Sequence, residues 1–201
     1  MTKDYQSALN LFIAKEYNEA FCLFEKLGAV YEAGYCQFAV GNIKLAKQIW
    51  ENSKIDSPAI NWGLSIISLI NLTIPKQLSF FQIRNFLERD LDLLIKNHQI
   101  KYVENVISAA DILSEYNAET YKFIGRVLLN NGYKIQSYEF FEKSRDIYYA
   151  DPETHYLLAQ YYISQNEYNA ATKILKKSLA INPNYFPATN LLQKLQTNKL
   201  R

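Results

Sequence analysis

Histidine, cysteine, glycine and proline are scarce in this chain, which holds 2, 2, 6 and 5 of them among 201 residues. General acid–base and nucleophilic catalysis need a titratable group held against a partner. His98 and His155 stand beside no carboxylate or cysteine at a spacing that would pair them. Cys22 and Cys36 lack both a CxxC spacing and a nearby histidine, so a metal site would be short of ligands and reduced thiols are expected. There is no HExxH and no Gly-rich phosphate loop. Few glycines and prolines argue against a strand-and-turn architecture. Charge of one sign is also lacking: 22 Lys plus Arg stand against 20 Asp plus Glu, a net of +2, which argues against a chain built to neutralise phosphates. The most apolar stretch, Ala59 to Ile74, is interrupted by Asn61, Ser65, Ser68 and Asn71 and falls short of the roughly 20 residues that span a bilayer. Asp4, Gln6, Asn10, Lys15 and Glu16 break up the amino terminus, leaving no apolar core for a secretion signal. These absences lead to the expectation of a cytoplasmic, non-catalytic protein without cofactor or metal.

What is present is helical periodicity with a repeat. Between Pro152 and Tyr185, His155, Leu158, Ala159, Tyr162, Ala171, Leu175 and Pro183 fall at fixed offsets. A small residue lets two helices approach, and a large one fills the neighbouring gap. Shifted back by 34 residues, Tyr121, Ile124, Gly125, Leu128, Gly132, Ser137, Phe141 and Ser144 precede His155, Leu158, Ala159, Tyr162, Asn166, Ala171, Leu175 and Ser178 in register. Gly132 and Asn166 suit a left-handed turn between paired helices. A third match lies at 27–60, where Ala33 and Gly34 supply the flat patch, Gly41 the turn and Trp50 the plug. Tyr17, Ala20 and Phe24 repeat the second-helix part of the pattern inside a hairpin at 1–26.

This spacing resembles the tetratricopeptide repeat. The resemblance implies an all-α, right-handed superhelical solenoid of about twelve helices. Its expected divisions are an amino-terminal hairpin cap at 1–26, a repeat at 27–60, a degenerate three-helix segment at 61–117, repeats at 118–151 and 152–185, and a capping helix at 186–201. In the middle segment Pro75 breaks the chain and the signature fails to return on schedule. The strong repeats begin 91 residues apart, which is two periods and the length of one extra helix with its connection. In the last segment Pro187 fits the first turn of a helix whose Ala188, Leu191, Leu192 and Leu195 oppose Gln193, Lys194, Gln196 and Lys199.

In that family the first helices of successive repeats line a groove that takes a peptide or a helix. Carried over, the lining positions are Tyr31, Tyr35 and Phe38, then Lys122, Arg126, Leu129 and Asn130, then Tyr156, Gln160 and Ile163, with Asn190 and Lys194 from the cap. The implied function is a protein-interaction scaffold, and Lys122, Arg126 and Lys194 would favour an acidic segment in the partner. The chaperone-type carboxylate clamp is not expected, because Tyr156 and Gln160 occupy its positions. The other readings are a regulatory or nucleic-acid-binding helical repeat, and a non-catalytic subunit of an enzyme or secretion or assembly complex. His155 reads as a packing residue. Glu88, Asp90 and Asp92 with Arg84 and Arg89 read as a wet helix face with local ion pairs.

Overall fold

A computed structural model describes residues 2–197. Among them the chain is all-α, with thirteen helices: α1 (Lys3–Ile13), α2 (Tyr17–Lys26), α3 (Val30–Ala39), α4 (Ile43–Glu51), α5 (Pro58–Ile70), α6 (Phe80–Lys96), α7 (Ile100–Ser108), α8 (Ala110–Tyr116), α9 (Thr120–Asn130), α10 (Lys134–Ile147), α11 (Pro152–Ser164), α12 (Tyr168–Ile181) and α13 (Phe186–Gln196). About twelve were expected, and the surplus lies in the middle. The segment read as three helices holds four, because the Ala109 amide bonds Val106 O at 3.1 Å and this tighter turn divides α7 from α8. Lys199 lies outside the described residues.

Helix starts follow local chemistry. Thr2 and Ser79 accept amide hydrogens from Tyr5 and Gln82, Asp151 accepts from Glu153 and Thr154, and α5, α11 and α13 each carry a proline in the first turn. The reversals take left-handed residues. Gly41, Gly132 and Asn166 have φ of 81°, 86° and 62°, in the turns where the sequence placed them. Lys15 and His98, at 64° and 59°, do the same work after α1 and α6.

The chain forms two compact units, Met1–Ile112 and Leu113–Arg201. In unit 1 the helices α1, α2 and α3 pack in sequence around Ala8, Ala20, Phe24, Ala33 and Cys36. Trp50, 1% exposed, then plugs α4 between α3 and α5. A Cβ at Gly34 would lie 2.2 Å from its Nε1 and one at Gly63 2.6 Å from its Cζ3, so both neighbours must be glycine. In unit 2, α9/α10 and α11/α12 are two successive hairpins, and α13 closes the second through Ala188 and Leu195. Phe141 against Gly125 is the counterpart of Trp50 against Gly34, with a Cβ at Gly125 2.6 Å from the ring. Both thiols are free, Cys36 buried and Cys22 exposed. No described helix is long and apolar enough to cross a membrane.

Candidate functional site

On the first-helix face of unit 1, Tyr31 and Tyr35 of α3 are engaged by α6. Helix α6 carries Ile83, Leu87, Leu91 and Leu94 on one buried stripe, and Asp90 lies on that stripe at 1% exposure. A carboxylate so deeply buried needs donors on every side. Asp90 Oδ1 accepts from Tyr35 Oη at 2.5 Å and from Arg89 Nε at 2.7 Å, while Oδ2 accepts from Trp62 Nε1 at 2.6 Å. Arg89 Nη2 donates to Tyr31 Oη at 2.7 Å, and its guanidinium lies 4.6 Å from the Tyr35 ring centre and 4.9 Å from that of Phe86. Burial works against the Arg89 charge, but Asp90 outweighs it and holds the pKa above the ordinary value. Burial also pushes the Tyr31 phenol up to about 12.

The ends of α6 are held too. Gln82 Nε2 donates to Pro58 O at 3.2 Å. At the other end Asn97 Nδ2 and Gln99 Nε2 both donate to Ala39 O, at 3.0 and 2.7 Å, and Tyr17 Oη donates to Asn97 Oδ1 at 3.3 Å. The acidic stretch 88–92 is therefore not simply a wet face. Asp92 does form a local ion pair, with Lys96 at 2.6 Å, but Asp90 is a core residue.

In unit 2 the corresponding face is built differently. Lys122, on α9, is 3% exposed and reaches Glu119 Oε1 at 2.7 Å, Asp151 Oδ2 at 3.0 Å and Glu153 Oε2 at 3.0 Å. Burial lowers its pKa, yet the hydrogen bonds it donates to Glu119, Glu153 and Asp151 outweigh that and leave it above the ordinary value. Arg126, one turn on, meets Glu153 Oε1 at 3.0 Å. Beside them on α11, Gln160 Nε2 donates to Tyr156 Oη at 3.0 Å, and the Tyr156 ring packs edge-on against Tyr185 at 5.9 Å. Tyr156, Gln160 and Ile163 stay half-buried; Asn130, Asn190 and Lys194 are exposed.

Residues 152–185, which form α11 and α12, match the family model of the tetratricopeptide repeat. The chain carries a tetratricopeptide repeat. Among solved structures it resembles a thermophilic TPR protein from Thermus thermophilus, at 16% identity over 96% of this chain and 97% of that one, with a TM-score of 0.44. It also resembles part of a TPR repeat-containing protein from Cytophaga hutchinsonii, at 19% identity over 97% and 72% of the two chains, TM-score 0.47. A third is YrrB, described as a TPR protein with an unusual peptide-binding site, at 17% identity over 94% and 90%, TM-score 0.43. No curated protein matches the chain.

Mapped onto these repeats, the twelve residues expected to line the groove fall into three groups. Tyr31 and Tyr35 are engaged by Arg89 and Asp90, and Phe38, at 0% exposure, has no surface to offer. Lys122 is buried as an internal cation, and Arg126 is shared with Glu153. Tyr156, Gln160, Ile163, Leu129, Asn130, Asn190 and Lys194 keep accessible surface. Sequence reasoning missed Asp90, Arg89 and Trp62 as a cluster. A signal for Asp90 was present, because it stands seven residues after Ile83, three after Leu87 and four before Leu94, on the apolar side of the helix. It also missed the carboxylates Glu119, Asp151 and Glu153 around Lys122, which come together only when α11 folds beside α9. Among the described residues no group of three or more His, Cys, Asp or Glu is placed to hold a metal ion.

Proposed function

We propose that the chain is a non-catalytic interaction scaffold whose partner face is the first-helix side of unit 2, formed by α9, α11 and α13. The observation that carries this reading is the state of the matching positions. On α3 the half-buried Tyr31 and Tyr35 are bonded by Arg89 and Asp90 of α6 and Phe38 is fully buried, whereas on α11 the half-buried Tyr156, Gln160 and Ile163 meet no such helix, and Asn130 of α9 and Lys194 of α13 are exposed. Tyrosine, carboxamides and an arginine suit a protein surface, since they combine rigid contact area with adaptable hydrogen bonding. Lys122 and Arg126 are neutralised internally, so an acidic segment in the partner would find its charge partner chiefly in Lys194. The ligand is a peptide or helix that fills the space along α11 with side chains suited to stacking on Tyr156.

The test is selection of peptides from a random displayed library against the full chain, followed by calorimetry. Tyr156→Ala combined with Gln160→Ala should weaken a selected peptide about tenfold, or about 1.4 kcal/mol, with the melting temperature checked alongside. Lys173→Ala with Lys176→Ala, exposed on α12, should leave affinity unchanged. Equal affinity for all three proteins would place the peptides elsewhere and sink the assignment.

A further inference from the structure

The seam where α10, α11 and α12 meet in unit 2 is both buried and polar. Ser144, Thr154, His155 and Ser178 are at most 6% exposed. The hydroxyls have partners: Ser144 and Thr154 lie 3.2 Å apart, Thr154 Oγ1 donates to Asp151 Oδ2 at 2.7 Å, and Ser178 Oγ donates to Pro152 O at 2.7 Å. His155 is satisfied on one side only. Its Nε2 lies 2.9 Å from the Tyr149 carbonyl, and a carbonyl can only accept, so Nε2 carries the proton. Nδ1 is left as a buried lone pair that meets no donor among the described residues. The Tyr149 ring closes over the imidazole edge-on, with centroids 4.9 Å apart.

The charges that face this ring come from all three helices. Arg145 of α10 and Lys177 of α12 oppose a positive imidazole, and Asp151 at the start of α11 favours one. Asp151 is already committed to Lys122, to the Thr154 hydroxyl and to the amides of Glu153 and Thr154. We infer that the seam is a proton-sensitive joint, in which uptake of one proton by His155 loosens α10 from α11. The added proton would sit on Nδ1 with no acceptor, on a ring that gains a buried charge beside two cations.

Burial, with Lys177 and Arg145, holds the His155 pKa below its ordinary value near 6.5. The folded state therefore prefers the neutral ring while the unfolded chain takes the proton more readily. Stability is full above about pH 6.5 and is lost as pH falls below it. Glu153, Tyr156 and Gln160 share α11 with His155, so the joint also governs the face assigned above. That second step rests on the proposed function, whereas the joint itself does not.

Thermal melts and hydrogen exchange on the full chain, at about pH 7.5 and about pH 5.5, test it against His155→Leu, which fills the same packing position with an apolar group. Between the two conditions the wild type should lose about 5 °C more in Tm than the variant. After correction for intrinsic rates, α10 and α11 amides should lose protection in the wild type alone. An identical pH response in the variant would overturn the joint. Should His155→Leu fail to fold, His98→Gln leaves a single imidazole to follow by proton resonance, and a midpoint at or above about 6.5 refutes the proposal. A selected peptide measured at both pH values separates the two claims. Loosening with falling affinity supports the coupling, while loosening at constant affinity refutes the coupling and leaves the joint standing.

Discussion

The first-helix faces of α3 and α11 start from one pattern and end with different neighbours. Tyr31, Tyr35 and Phe38 stand at the offsets of Tyr156, Gln160 and Ile163. On α3 Tyr31 and Tyr35, themselves half-buried, are bonded by Arg89 and Asp90 of α6, and Phe38 is fully buried. On α11 their counterparts bond one another and stay half-buried. The difference at the tyrosines is made by one helix of 17 residues, which presents an apolar stripe with a single carboxylate aimed at a tyrosine and a tryptophan. The sequence of α6 is fitted to the face beside it, and Asp90 sets the register of that fit, because only one rotation of α6 meets both Tyr35 and Trp62.

The strongest way to break the comparison is at the plugs. Trp50→Ala empties the space between Gly34 and Gly63 and should cost about 4 kcal/mol, against about 3 for Leu175→Ala at the same repeat offset. Urea unfolding gives the totals, and hydrogen exchange should assign the first loss to α3–α5 and the second to α11–α12. Equal loss of protection across both units from either substitution would mean that the units are one cooperative body, and the contrast between faces would lose its basis.

A smaller effect sharpens the role of α6. Asp90→Ala strands the Trp62 indole N–H and the Tyr35 hydroxyl and leaves Arg89 without its carboxylate, at a cost of about 3 kcal/mol, since removing one member of a buried charge cluster costs more than the pair contributes. Chain folding should survive, and Tyr31 should titrate nearer its ordinary value than the present value of about 12. Spectrophotometric titration of the tyrosines reads this directly. An unchanged tyrosine profile would show that α6 stays docked by its leucines alone.

Much of this was legible in the residues alone. The 34-residue register, the plugs Trp50 and Phe141, and the left-handed turns at Gly41, Gly132 and Asn166 follow from residue types whose backbone or volume admits few alternatives. The position of Gly63 was not legible. It lies 29 residues after Gly34, where the repeat period asks for Ser68, because α5 begins early at Pro58 and shifts the small residue with it. Asp90 was misread because charge was weighed before position. Lys122 was placed on the right helix but given a partner's carboxylate, when Glu119, Asp151 and Glu153 supply three from within. Local chemistry marks which residues are special, while long-range folding decides what they face.

The smallest predicted effect concerns Lys122, where the two faces differ in electrostatic design. Asp90 is a lone anion among donors, and Lys122 is a cation among three acceptors. Lys122→Met should destabilise unit 2 by about 2 kcal/mol at neutral pH, less than Asp90→Ala, because Glu119 and Glu153 are partly exposed and Arg126 still meets Glu153. The sign of the pH dependence separates this from lost packing. Burial tends to raise the Asp151 pKa, but hydrogen bonds from Thr154 and Lys122 outweigh it and hold the group below its ordinary value of 3.8. That contribution is present above about pH 4 and is lost as pH falls through the folded pKa. The gap between wild type and Lys122→Met should therefore narrow when urea unfolding is repeated from pH 7 down into the carboxylate range. A gap that stays constant over that range would mean that Lys122 acts through its methylene stem, and the ion cluster would cease to distinguish the α11 face from the α3 face.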